Sequence, residues 1–173
     1  MGHGLGGAVA ARFALKNPAS VDRLMAVSVP VRGASISSRL HGSPAASLLE
    51  WLLGKGPALD PISREAAKGD PLAIEATLPA LLDLDLREEL SALSAPYLLV
   101  YGERDLLITP PQDGWQAGLV GNVHSIGLEE SRHFPMLDEA AKFNRLLADF
   151  LALKSGSSLT DLGLKEEWRR RVR

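Results

Sequence analysis

The sequence predicts an α/β fold of about three parallel strands with flanking helices and a helical insertion. Three observations predict it. The glycine-dense turn Gly2-His3-Gly4-Leu5-Gly6-Gly7 leads directly into an alanine- and leucine-rich segment. The run Leu24 to Val29 is mostly apolar, the pattern of a parallel strand covered on both faces. Tyr97 to Tyr101 repeats that pattern, and further along an amphipathic stretch spans Glu139 to Leu153.

Taken in order, Gly2, Gly6 and Gly7 supply the room that a sharp strand-to-helix reversal needs around its central residue. Ala8 to Lys16 is helix-prone, and Asn17-Pro18 stops it. After the strand Leu24 to Val29, residues 32 to 93 read as a mainly helical insertion. Loops rich in serine and glycine open it at Gly33 to Ser43, and Ser47 to Leu53 makes a short apolar helix ended by Gly54 and Gly56. Further helices are expected at Ser63 to Lys68, Pro71 to Leu82 and Leu86 to Leu93. Ala95-Pro96 then opens the strand Tyr97 to Tyr101, which ends in Gly102-Glu103-Arg104-Asp105. A third strand is expected at Asn122 to Ile126. The closing helix carries Phe143, Leu146, Leu147, Phe150 and Leu151 at helical spacing. Ser155-Gly156-Ser157-Ser158 reads as a hinge to a basic tail, whose terminal segment is expected to dock through Leu162, Leu164 and Trp168, the alternative being contact of its arginine cluster with an acidic partner or lipid headgroups. The chain thus divides into a core, residues 1–31 and 94–153, an insertion, residues 32–93, and a hinge with tail, residues 154–173.

Three segments carry chemistry. The first turn has the spacing G-x-S-x-G-G with Gly4 at the serine position, the second reads P-x-L-L-V-x-G-x-x-D and ends at Asp105, and the third is Ser131-Arg132-His133-Phe134-Pro135 before a packed helix. In this order along residues 2 to 153 they resemble the α/β-hydrolase superfamily, from its nucleophile elbow onward. The resemblance implies a partial α/β-hydrolase fold, with Gly4 at the nucleophile position, Asp105 at the triad acid position and His133 at the base position. It implies that the Leu5 backbone N–H forms half of an oxyanion hole, and that residues 32–93 form a lid. Leu48, Trp51 and Leu52 then either contact the acyl or alkyl part of a substrate or pack between lid helices. The implied activity is that of an esterase or lipase-like enzyme on a small ester or related acyl substrate. Glycine has no atom to acylate, so activity is expected to be impaired. His3 is expected to be a packing residue, and His41 and His124 structural ones.

Five strands of the family fold would precede the elbow, so the chain reads as truncated, with Leu24 to Val29 an exposed sheet edge. That edge would seek a second copy or a complementary N-terminal fragment. A non-catalytic pseudo-hydrolase that binds a partner is the alternative. A third reading, a dinucleotide-binding module, follows from Gly2, Gly4 and Gly7 as G-x-G-x-x-G with Asp22 downstream, but Asp22 comes before its strand instead of at the strand's end.

Composition bounds the setting. A net charge of −2 gives no whole-chain field for nucleic acid, no His/Asp/Glu grouping has metal-site spacing, and no cofactor is expected. With no cysteine there are no disulfides, no apolar run reaches transmembrane length, and Gly6 stands where a myristoylation signal needs serine or threonine. A soluble cytoplasmic protein is expected.

Overall fold

A computed structural model describes residues 1–40, 47, 51–52, 60–111, 123–154 and 159–162. Four parallel strands form one sheet in chain order: β1 (Gly2–His3), β2 (Leu24–Val27), β3 (Tyr97–Gly102) and β4 (Val123–Leu128). Leu24 to Val27 pair with Tyr97 to Val100, and Tyr97 to Gly102 pair with Val123 to Leu128. β3 is therefore paired on both sides, and all six of its residues are buried.

Strand side chains alternate between two apolar layers, which is why β2 and β3 read as continuous apolar runs. Leu24, Ala26, Tyr97, Leu99 and Tyr101 join α1 (Leu5–Lys16) in one layer. Met25, Val27, Leu98, Val100, Ile126 and Leu128 join the closing helix in the other. α1 meets the sheet through Ala8, Ala11 and Ala14, all buried. Small side chains bring helix and sheet close: a Cβ on Gly7 would stand 3.1 Å from the Val29 side chain.

Between β2 and β3 lie α2 (Asp60–Ala66), α3 (Pro71–Leu82) and α4 (Arg87–Ser91). Asp70 caps α3 by accepting the Leu72 N–H at 2.9 Å, with Pro71 at the first helical position, where a missing N–H costs nothing. The end of this segment belongs to the core. Leu84, Leu86, Leu90 and Leu93 are buried in the α1 layer, and Arg12 of α1 pairs with Glu89 of α4 at 3.0 Å.

α5 (Pro135–Asp138) and α6 (Ala140–Ala152) follow β4. α6 buries Phe143, Leu146 and Phe150, and its last carbonyls are collected by one side chain. Arg23 Nη1 donates to the Phe150, Leu151 and Leu153 carbonyls at 2.7, 2.9 and 3.1 Å, and its guanidinium lies 5.9 Å from the Phe150 ring centroid. These carbonyls lie at the helix end, where intrahelical donors run out.

Most boundaries differ from the sequence reading by one to three residues: α2 runs Asp60–Ala66 and not Ser63 to Lys68, α4 is shorter, β3 reaches Gly102 and β4 runs on to Leu128, and three further differences bear on the site. β2 stops at Val27 because Ser28 adopts φ 46°, turning the chain out of the strand while its N–H still donates to the Val100 carbonyl at 2.8 Å. α1 starts at Leu5, three residues earlier than expected. The expectation that the sheet begins at Leu24 is corrected: Gly2 and His3 pair with Ala26 and Val27, so β1 lies outside β2. Two residues carry no periodicity, which hid this strand. No helix among the described residues is long and apolar enough to cross a membrane.

Arg23→Ala should lower stability by about 1–3 kcal/mol, because a charged donor to several carbonyls is lost at once. A urea denaturation midpoint checks this, and an unchanged midpoint would mean that water replaces the guanidinium without loss.

Candidate active site

The carboxyl ends of β1, β3 and β4 lead into three segments that meet at one end of the sheet. The first is the reversal between β1 and α1. Gly4 there has φ 52° and ψ −124°, its N–H donates to the Val27 carbonyl at 2.9 Å, and its own carbonyl accepts the Gly7 N–H at 3.0 Å. The turn needs glycine at position 2, where a Cβ would stand 2.1 Å from the Gly6 carbonyl oxygen. At Gly4 a Cβ would meet no atom within 4 Å. The conformation is left-handed and disfavours side chains, yet the space for one is open. Leu5, the first residue of α1, has an N–H with no acceptor inside the helix, at the end where the helix dipole is positive.

The second segment is the turn after β3. Asp105 Oδ1 accepts the N–H groups of Leu107 and Ile108 at 2.8 and 3.1 Å, while Oδ2 faces His133 Nδ1 at 2.9 Å. The carboxylate is fully shielded from solvent and the imidazole nearly so. A buried carboxylate without partners would be costly, and three donors offset that cost. Since a carboxylate accepts, His133 donates from Nδ1, and in the neutral ring Nε2 is then the acceptor.

The third segment is the loop between β4 and α5, and it is braced at several points. Glu139 accepts from Ser131 Oγ at 2.8 Å and from the Glu130 N–H at 3.0 Å, and it pairs with Lys142. Asp138 accepts the Arg132 N–H and Nη2 at 2.8 Å each. The Arg104 N–H donates to the Ser131 carbonyl at 2.9 Å, tying this loop to the turn that holds Asp105. Gly102 allows the crossing, since a Cβ there would stand 2.0 Å from the Arg132 carbonyl oxygen. Burial opposes ionisation of Glu139, but the hydrogen bonds from Lys142, Ser131 and Glu130 hold its carboxyl below the usual glutamate value.

The structure thus brings Asp105 and His133 together and sets Gly4 and Leu5 on the adjacent turn. His3 is also here: its Nε2 donates to the His133 carbonyl at 2.8 Å. Sequence reasoning missed this link and the braces Asp138 and Glu139. Two acidic residues ahead of an amphipathic helix were the available signal for the braces. Trp51 and Leu52 are helical, half-buried and packed on the α1 layer, with the Arg39 guanidinium 5.0 Å from the Trp51 ring centroid. Leu48 and His41 lie outside the described residues, as do Leu164 and Trp168 of the tail. Leu159 is buried in the α6 layer. His124, in β4, is half-buried, and burial lowers its pKa. Among the described residues no group of three or more histidine or acidic side chains could hold a metal ion.

A family model described as the alpha/beta hydrolase family matches residues 1–146, a span that includes Gly4, Asp105 and His133. The chain belongs to the alpha/beta hydrolase family. It is 27% identical, over 175 aligned positions, to a pimeloyl-[acyl-carrier protein] methyl ester esterase of Aeromonas hydrophila, covering 87% of this chain and 69% of that protein. Among solved structures, an esterase from Exiguobacterium antarcticum aligns with a TM-score of 0.71 at 18% identity, over 88% of this chain and 65% of that one. An enol-lactonase from Burkholderia xenovorans aligns at 0.66 and 19%, over 88% and 64%. The chain therefore spans just under two thirds of these two structures, and at such identities they support the fold alone.

The depressed Glu139 pKa gives a pH dependence of known sign. Its stabilising contribution is fully present above the unfolded value of about 4.3 and is lost as pH falls through the folded value. Glu139→Gln should cost about 1–3 kcal/mol at neutral pH, a difference that shrinks on acidification below about pH 4. Thermal midpoints of both proteins across pH check this. A constant difference would show that shape, not charge, braces the loop.

Proposed function

We propose that this alpha/beta hydrolase is an esterase-type protein for small esters or related acyl compounds, in which acyl-enzyme formation is blocked at Gly4. The observation that carries the reading is a buried Asp105–His133 pair, at 2.9 Å, beside a nucleophile turn whose central residue has no side chain. The Aeromonas relative, an esterase by name, supports the substrate class.

The chemistry follows from the atoms present. With a serine at position 4, His133 Nε2 would take the hydroxyl proton as oxygen bonds to the ester carbonyl carbon, and Asp105 would stabilise the imidazolium. Negative charge developing on the carbonyl oxygen would meet the Leu5 N–H at the α1 terminus. With glycine there, no oxygen is held for attack and no acyl bond forms. The acid and base remain assembled and the covalent step is lost. In this reading the insertion, with Trp51 and Leu52, covers the acyl side of the site.

Fluorophosphonate probes test this. The chain as it stands should not be labelled. Gly4→Ser should be labelled slowly and only while His133 is intact, because the turn has space for a Cβ. Ester turnover by Gly4→Ser should stay low on this reading, which gives the oxyanion the Leu5 N–H alone, a second donor being worth roughly 10²–10³-fold. Labelling of the unmutated chain at a serine that depends on His133 would sink the proposal, as would a Gly4→Ser protein that resists the probe.

A separate observation favours a binding role beside this one. Met1, Val9, Phe13 and Leu151 are all exposed and line a groove of about 750 Å³ with Leu24 at the β1 side of the sheet. Apolar surface at a strand edge favours association. A second copy, pairing antiparallel across a two-fold axis, is the simplest closed arrangement. Light scattering should find a dimer or larger species, and a stable monomer at dilution would remove this reading.

A further inference from the structure

His3 occupies the last position of β1, directly before Gly4, and its side-chain hydrogen bond and ring contacts lead to the His133 loop 130 residues away. The His133 carbonyl can only accept, so His3 Nε2 is the donor at 2.8 Å and the proton of the neutral ring sits there. The His3 ring stacks on Phe134, with centroids 4.8 Å apart and planes at 21°. It meets the His133 ring edge-on at 4.7 Å and 69°, and Phe134 meets His133 edge-on at 5.0 Å and 82°. His133 is therefore enclosed by two rings and by the Asp105 carboxylate.

These contacts divide the labour of orientation. Asp105 fixes the tautomer and the direction of Nδ1, but it lies on the β3 turn and has no covalent tie to position 4. His3 has that tie. A hydrogen bond from its ring to the His133 backbone sets how far the base's loop stands from the nucleophile turn. We propose that His3 is a positioning residue that keeps the His133 imidazole in register with position 4, through its Nε2–H donor and not through packing alone. The inference rests on the reading of Asp105 and His133 given above.

Its protonation state suits that role. Burial lowers the His3 pKa, against the raising effect of the His133 carbonyl, and the neighbouring His133 charge lowers it further. A neutral His3 does not repel the imidazolium that His133 becomes during proton transfer. With its one N–H committed to the carbonyl, it takes no part in proton transfer itself.

Two substitutions separate donor from packing. His3→Phe keeps an aromatic ring for Phe134 and removes the donor, whereas His3→Gln keeps an amide donor within reach of the carbonyl. Two readouts apply: the downfield NMR resonance of the His133 Nδ1 proton bound to Asp105, and the fluorophosphonate labelling rate in the Gly4→Ser protein. His3→Phe should broaden or shift that resonance and slow labelling by ~10-fold or more, because small misplacements of a reacting group are costly. His3→Gln should return both towards the parent. An unchanged resonance and rate in a folded His3→Phe protein would overturn the proposal. Should His3→Phe fold poorly, His3→Gln decides: a restored unfolding midpoint with a still-perturbed Nδ1 resonance overturns it equally. If no Gly4→Ser protein is labelled at all, the esterase reading fails and the Nδ1 resonance still tests His3.

Discussion

Parallel pairing on both sides of β3 is the constraint on which the rest depends. Parallel strands point their carboxyl ends the same way, so the segments that follow β1, β3 and β4 emerge together although they lie far apart in sequence. The register fixes their relative height. His3 lies opposite Val27, Val27 opposite Val100, and Val100 opposite Ile126, so Gly4, the Asp105 turn and the His133 loop each begin within a few residues of one level. Because β3 is wholly buried, the pairing cannot slip by one residue without exchanging the two apolar layers.

Glycine then converts proximity into contact. The Arg132 carbonyl crosses β3 where Gly102 lacks a Cβ, and the Gly6 carbonyl folds back over Gly2 in the same way. Each crossing brings backbone polar groups close to the sheet, and each is supplied with partners: the Ser131 carbonyl accepts from Arg104, and the Arg132 N–H donates to Asp138. Asp105 extends the same logic to a charge. Its two oxygens receive two backbone N–H groups and an imidazole, which lets a carboxylate lie out of solvent beside an apolar layer.

Much of this was legible in the chain because it depends on local chemistry. The glycine turn, the stop at Asn17-Pro18, and the spacing of Phe143, Leu146 and Phe150 each declare an element without reference to distant residues. The order of the motifs put Asp105 and His133 forward together, and the fold brings their side chains to 2.9 Å. What stayed hidden is tertiary. Ser28 leaves the strand at φ 46° because its surroundings hold it there, with its N–H on Val100 and the Tyr101 hydroxyl on the next carbonyl, Val29; nothing in Ser28 itself signals the change. Leu86 and Leu90 read as part of a helical insertion, and only the fold shows that they fill the α1 layer. The His3 link spans 130 residues, and no spacing rule reaches that far.

Gly4 bears on both stability and chemistry. A side chain at φ 52° costs of order 1–3 kcal/mol, a strain that a nucleophile on such a turn must carry and glycine does not. Glycine at this position is therefore favourable for the scaffold, and its backbone bonds both Val27 and Gly7. The acid has reasons to persist apart from catalysis, since Asp105 Oδ1 closes the 105–108 turn whether or not His133 is present. The imidazole is less easily explained in this way. Its Nδ1 satisfies Oδ2, but an amide or hydroxyl donor would do the same, and packing among His3 and Phe134 would suit any flat ring. Only a base needs both, a ring whose Nδ1 proton is held by Asp105 and whose Nε2 is left as an acceptor. On the esterase reading proposed above, that pairing of requirements at His133 ties this loop to proton transfer as well as to folding.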